Sequence, residues 1–292
     1  MKEAIFKDIE LQNQFEEDGF VKLKVFSAQT IETLNSMLTG YFPDQVDAFF
    51  ASSYLDDYDL KKEMSDKIIE VIQSEIADKF TNYRSIGAAF LIKGIGKSSE
   101  MPMHQDWTIV DEHQYFAINL WIPLMNTTTE NGTIEVMKGS QKWNQALRAP
   151  SLPFPFEGHQ ERIKKSLTIV EAELGEVVVL NQAIIHYSKP NLTREIRPAI
   201  TAGIISEKAP LIFHYRANKE DDKVELFEQE DDFLLRFENF HQTIFERPKN
   251  ACSKGFKPYT IPEVTNETLD QFLGAEVVVE EKRGLFSRLF NR

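Results

Sequence analysis

Apolar residues recur at helical spacing in the first third of the chain. Ile31, Leu34 and Leu38 share one face of a helix that Ser27 is placed to cap and Gly40 to stop. Leu60, Met64, Ile68, Val71, Ile72 and Ile76 follow at spacings of three and four, which predicts a second helix over about 59–80. From Ser85 the texture changes to short apolar runs broken by Gly, Pro, Asn and Ser. These predict strands over 86–93, 101–109, 115–124, 133–138, 177–187, 196–205 and 211–216. So many short strands at this spacing indicate a sandwich or barrel. Residues 139–165 form a long connection carrying Pro150, Pro153 and Pro155, and long loops in compact domains more often serve function than not. Residues 219–232 then hold eight acids against two lysines. Phe233, Phe237, Phe240 and Ile244 behind them predict a helix ended before Pro248. No linker separates these regions. The pattern therefore predicts one α+β domain over 1–292: a mainly helical part (1–84), a β core (85–216) and a helical C-terminal extension and tail (217–292).

Composition narrows the partners. The 292 residues are 42% hydrophobic and 27% charged, which excludes a disordered, collagen-like or coiled-coil chain. Acidic residues outnumber basic ones 46 to 33, for a net charge of −13. Such a surface repels phosphate backbones and anionic head groups, so neither nucleic acid nor a membrane is expected as a partner. The single cysteine, Cys252, cannot form an intrachain disulfide. The N-terminal residues lack an apolar leader, and no apolar run is long enough to span a bilayer. A cytoplasmic protein is expected. Residues 280–292 pair Leu285, Phe286, Leu289 and Phe290 with basic residues; a docking helix or frayed end is expected there before a membrane contact.

Two of the six histidines stand in informative company. His104-Gln105-Asp106 lies in a strand-like run, where alternation sends His104 and Asp106 to the same face. Two donors on one face can chelate a metal. His186, at the end of the run VVVLNQAIIHY, offers a third ligand from a distant strand. Two imidazoles and a carboxylate on one side of an octahedral ion leave three positions open, as non-haem Fe(II) oxygenases require. Zinc can use the same set tetrahedrally with one water. Arg197, eleven residues after His186, stands where strand character resumes, and a turn over 188–195 returns it beside that histidine. A guanidinium fork there can grip a carboxylate at two points. A zinc hydrolase has no need of such an anchor; an enzyme with a dicarboxylate cosubstrate does.

Several segments stand in a telling order: Phe15–Phe20 (FEEDGF), Val25-Phe26-Ser27 before the first Leu-bearing helix, His104-Gln105-Asp106, and Asn119–Leu124 (NLWIPL). Asn131-Gly132-Thr133, Lys138–Lys142 (KGSQK), His186-Tyr187-Ser188 with Asn191, and Arg197 complete the series. Over roughly residues 15–205 they resemble the phytanoyl-CoA dioxygenase family of Fe(II)/2-oxoglutarate oxygenases. Gln141 stands where that family's Gly-Ser-His-Lys segment carries histidine. The resemblance implies a double-stranded β-helix (jelly-roll or cupin-like) core with flanking helices and a metal at one open end. It implies His104, Asp106 and His186 as iron ligands, and Arg197 holding the distal carboxylate of 2-oxoglutarate with help from Ser188. Asn119 and Trp121 would line the cosubstrate pocket, with Lys93 a weaker candidate. The implied reaction consumes O2, decarboxylates 2-oxoglutarate to succinate and CO2, and hydroxylates a small organic metabolite. Related iron halogenases lack the carboxylate, so Asp106 favours hydroxylation. A fatty acyl-CoA or lipid substrate, and a non-catalytic ligand-binding β-helix, are the alternatives.

For Ser188, Asn119 and Trp121 the ordinary reading is β-core packing, and for Lys93 a solvated strand end. His113, His214 and His241 read as exposed or structural. His159 lies in the long loop with Lys142, Arg148, Arg162, Lys164 and Lys165. That loop is a basic exception in an acidic chain, suited to an anionic substrate, although solvated loops of this kind are common. No feature selects an oligomeric state.

Overall fold

A computed structural model describes residues 3–42, 46–249 and 251–274. Its elements in chain order are α1 (Ile9–Asp18), β1 (Phe20–Lys24), α2 (Ala28–Tyr41), β2 (Phe49–Ala51), α3 (Tyr58–Ile76), β3 (Tyr83–Lys93), β4 (Met101–His104), β5 (Ala117–Pro123) and β6 (Ile134–Val136). There follow α4 (Gln160–Ile163), β7 (Thr168–Val170), β8 (Glu176–Asn181), β9 (His186–Ser188), β10 (Arg197–Ser206), β11 (Leu211–Tyr215), β12 (Lys223–Gln229), α5 (Phe240–Thr243) and β13 (Cys252–Pro258). The large sheet has the order β1-β8-β5-β10-β3-β2 and the small one β4-β9-β6-β7. Together they form a double-stranded β-helix. A third sheet, β11-β12-β13, adjoins it.

Strict alternation along the large sheet divides its two faces. Ile118, Leu120 and Ile122 of β5 and Ile200, Ala202 and Ile204 of β10 pack against Leu34 and Leu38 of α2 and Met64, Ile68 and Ile72 of α3. The intervening residues face the small sheet: Trp121, Val178, Leu180 and Ala199 meet Ile134, Val136 and Val170. The helices begin where the sequence provides caps. Ser27 Oγ accepts the Thr30 N–H at 3.2 Å, and Asp57 Oδ1 accepts the Leu60 N–H at 2.9 Å.

The structure corrects several expectations. α2 continues through Gly40 to Tyr41, because nothing in the surroundings of Gly40 forces a stop. The run 177–187 is two strands. The chain leaves the large sheet at Asn181, turns with the Ile184 N–H donating to Asn181 O at 3.0 Å, and enters the small sheet at His186. Ala183, Ile184 and Ile185 continue the apolar run through the turn, which hides the break. The extension expected to be helical over 217–292 holds strands as well: β12 and β13 pair in an antiparallel ladder, and within that stretch only 266–274 form a helix of more than one turn among the described residues. Charge hid β12, whose Val224 and Phe227 are buried and whose buried Glu225 is neutralised by Arg247. Asn239, in the left-handed region at φ 47°, breaks the Phe-rich stretch into a 3-10 turn at Phe233–Leu235 and the single turn of α5. The amphipathic tail at 280–292 lies outside the described residues.

Gly132 shows how tightly the sheets close. It has φ +76°, and a Cβ there would fall 2.4 Å from the Lys189 carbonyl oxygen. Gly132→Ala is expected to lower folding stability by more than about 1 kcal/mol. The check is urea denaturation, with the midpoint falling at unchanged slope.

Candidate metal centre

The antiparallel register of β4 and β9 sets His104 directly opposite His186. Their ring centroids lie 4.1 Å apart. β4 ends at His104, so Asp106 reaches the histidines from an irregular segment and not, as strand alternation predicts, from the same strand face. Its Oδ1 lies 3.8 Å from His104 Nε2 and 3.9 Å from His186 Nε2. One ligand atom from each of the three residues falls within 4.8 Å of the others.

Backbone contacts orient these groups. His104 Nδ1 is 2.7 Å from Pro102 O and His186 Nδ1 3.0 Å from Ile184 O. A carbonyl can only accept, so each Nδ1 carries the proton and each Nε2 presents its lone pair to the carboxylate side. Desolvation, then the adjacent His186, push the His104 pKa down to about 4, which keeps that ring neutral and able to ligate. Asn119 Nδ2 donates to Asp106 Oδ2 at 3.3 Å, and Asn119 Oδ1 accepts from Thr201 Oγ1 at 2.6 Å. Asn119 is therefore a carboxylate-orienting residue.

Arg148 holds the segment itself. Its Nε donates to the Asp106 carbonyl at 2.7 Å, its backbone N–H donates to Thr108 Oγ1 at 3.1 Å, and its fork pairs with Glu112. The sequence reading placed Arg148 in a solvated basic loop, yet it is buried. Nothing local distinguishes it from its basic neighbours. Thr201 was missed as well, although its alternation with Arg197 and Ala199 on β10 was legible.

Arg197 is 2% exposed, and its Nε and Nη1 have no hydrogen-bond partner. Among the described residues it makes no ion pair. Its guanidinium carbon lies 5.3 Å from the centre of the Trp121 ring, and burial pulls its pKa down to about 9. Lys93 pairs with Arg197 in the ladder. It is fully buried, and Nζ donates to Ser99 O, Ser188 O and Lys189 O at 2.6, 3.1 and 2.7 Å. Burial, then the Arg197 charge, draw its pKa down to about 7. Lys93 is thus neither a solvated strand end nor a free contact for a cosubstrate: two of its donors join β3 to the chain just beyond His186, and the third goes to Ser99 O in the β3–β4 connection. Ser188 Oγ donates to Gly132 O at 2.8 Å, which leaves it only an acceptor for any ligand.

A sequence model of the phytanoyl-CoA dioxygenase (PhyH) family matches residues 15–199, which span the His-Asp-His cluster and Arg197. The chain belongs to the phytanoyl-CoA dioxygenase family. A curated relative from Dictyostelium discoideum, a phytanoyl-CoA dioxygenase domain-containing protein 1 homolog, is 23% identical over 135 residues, covering 44% of this chain. The match spans 48% of that relative's length. Among solved structures, the epimerase SnoN in complex with Fe3+, alpha-ketoglutarate and nogalamycin RO superposes with a TM-score of 0.52. It is 15% identical, over 70% of this chain and 85% of that one. EvdMO1 superposes at 0.50 and 22% identity, over 66% and 48%. These likenesses establish the shared fold.

Asn119→Ala removes the donor that orients Asp106. Divalent-metal affinity is expected to fall about tenfold to hundredfold, measured as free Mn(II) by electron paramagnetic resonance.

Proposed function

We propose that this protein is an Fe(II)/2-oxoglutarate-dependent dioxygenase that hydroxylates a small organic molecule. The observation that carries the proposal is the buried Arg197 guanidinium with two unpartnered nitrogens, on the strand that follows the His186 strand. An unpaired buried cation is costly, and a dicarboxylate cosubstrate relieves that cost through a bidentate grip. His104, Asp106 and His186 offer two imidazole nitrogens and a carboxylate, the donor set for Fe(II) with open positions. The bound iron, with O2 and 2-oxoglutarate, would supply the oxidising power and yield succinate and CO2. The chain's own residues fix ligand geometry. Asn119 and Arg148 hold Asp106, the Pro102 and Ile184 carbonyls set the tautomers, and the Trp121 ring covers one face of Arg197. A zinc hydrolase leaves Arg197 without a task, and a pure binding protein needs no intact ligand triad.

An anionic substrate was the finer expectation, from the basic loop. Three of its cations have partners within the chain, Arg148 with Glu112, Arg162 with Asp270 and Asn266, and Lys164 with Glu161, while Lys142 and Lys165 are exposed. That loop therefore gives the expectation little support. We read the chain as one domain, since β1 of the N-terminal part is laddered to β8. We also assign it to a reducing, cytoplasmic compartment: Cys252 is free and exposed, and no helix among the described residues is long and apolar enough to cross a membrane.

Asp106→Ala is expected to abolish succinate formation; turnover near wild type would remove Asp106 from the mechanism. Arg197→Ala is expected to raise the 2-oxoglutarate KM about tenfold to hundredfold, the loss of a charge-assisted contact of a few kcal/mol. An unchanged KM would mean that another residue holds the carboxylate.

A further inference from the structure

Along β10, the residues facing the small sheet run from Arg197 through Ala199 and Thr201 to Gly203. Arg197 lies at one end of this row. At the Thr201–Gly203 end a cavity of about 220 Å³ opens beside Asp106. Its floor is Ile86, Ala89 and Gly203, and its roof is Trp107, Leu235 and Phe240. The Phe240 ring lies parallel to Trp107, with centroids 6.4 Å apart, and 4.7 Å from Tyr54. Asp106 is the only charged residue among the described lining residues. Asn119 and Thr201 are occupied with each other and with Asp106. Gln182 also lines the cavity; it is 6% exposed, and its Oε1 has no hydrogen-bond partner. A buried acceptor without a partner costs about 1–3 kcal/mol unless a ligand donor meets it.

We infer that this cavity takes a compact, uncharged, largely apolar substrate carrying one hydrogen-bond donor, which Gln182 Oε1 accepts. The inference rests on the proposed dioxygenase function and names the substrate class of that site. Three observations support it. At about 220 Å³ the cavity is smaller than the roughly 300 Å³ at which drug-sized pockets begin. Among the described lining residues there is no Lys, Arg or His, so a carboxylate or the phosphates of a coenzyme A thioester find no cationic side chain. Leu234, Leu235 and Phe240 lie outside the segment that matches the family model, 15–199, so the family's name does not extend to that part of the lining.

The test is anaerobic calorimetry of the Fe(II)- and 2-oxoglutarate-loaded protein with four probes on one ring skeleton. These are cyclohexylmethanol, its methyl ether, cyclohexanecarboxylate and cyclohexanecarboxyl-CoA. The alcohol is expected to bind about tenfold more tightly than the ether, the worth of one buried hydrogen bond, and more tightly than either anion. Gln182→Met keeps the side-chain volume and is expected to bring the alcohol-to-ether ratio to about one. Ala89→Leu fills the cavity and is expected to abolish alcohol binding while 2-oxoglutarate still binds. Tighter binding of the carboxylate or thioester overturns the inference, as does an alcohol that fails to bind at low millimolar concentration. Titrating 2-oxoglutarate alone separates the two readings. Cosubstrate binding without alcohol binding overturns the substrate class only; no cosubstrate binding overturns the dioxygenase reading and this inference with it.

Discussion

A guanidinium buried without an anion is the constraint around which this protein is arranged. Arg197 is 2% exposed, two of its nitrogens lack partners, and it faces an aromatic ring. Removing such a charge from water costs several kcal/mol unless a counter-charge follows it in. The chain supplies none among the described residues. Its neighbour in the ladder is another buried cation, Lys93, whose ammonium is bound by backbone carbonyls. Two buried cations thus stand together with no acid in contact with Arg197, an arrangement that the proposed dicarboxylate would complete. The stability that offsets it comes from the surrounding packing.

That packing follows from one periodicity. Alternation on β5 and β10 commits Ile118, Leu120, Ile200 and Ala202 to the helices and leaves Asn119, Trp121, Arg197 and Thr201 facing inward. A slip of one residue would exchange these sets, so the helical layer fixes the register that aims the polar residues. The second sheet adds the histidine pair through direct cross-strand pairing, and Asp106 completes the cluster from outside any strand. Three structural devices thus meet at one point, and Lys93 ties them together by joining the large sheet to the chain beyond His186.

How much was legible follows from the kind of signal each residue carries. Strands β3, β5, β8 and β10 of the large sheet and helices α2 and α3 behind it have clean periods and were readable; β1 and β2 lie in the part that reads as mainly helical. His104, Asp106, His186 and Arg197 were readable because their flanking segments stand in family order. The route by which Asp106 arrives was not: alternation placed it on the His104 strand face, whereas the strand ends at His104 and the next residues are held by Ala183 and Arg148, both distant in sequence. The β8–β9 break was hidden because Ala183, Ile184 and Ile185 continue the apolar run of β8. β12 was hidden because acidic residues mask its alternation, and β13 because it is largely exposed and has no buried face. Lys93 and Arg148 looked like surface cations, since the carbonyls and the carboxylate that satisfy them come from elsewhere in the fold.

The central claim is that Arg197 and the His-Asp-His cluster together hold 2-oxoglutarate on iron. The most direct test is to add Fe(II) and 2-oxoglutarate to metal-free protein without oxygen and follow the visible spectrum. A weak charge-transfer band that forms in the wild type and is absent in His186→Ala is the predicted result. Fe(II) binding with no band in the wild type would contradict the account.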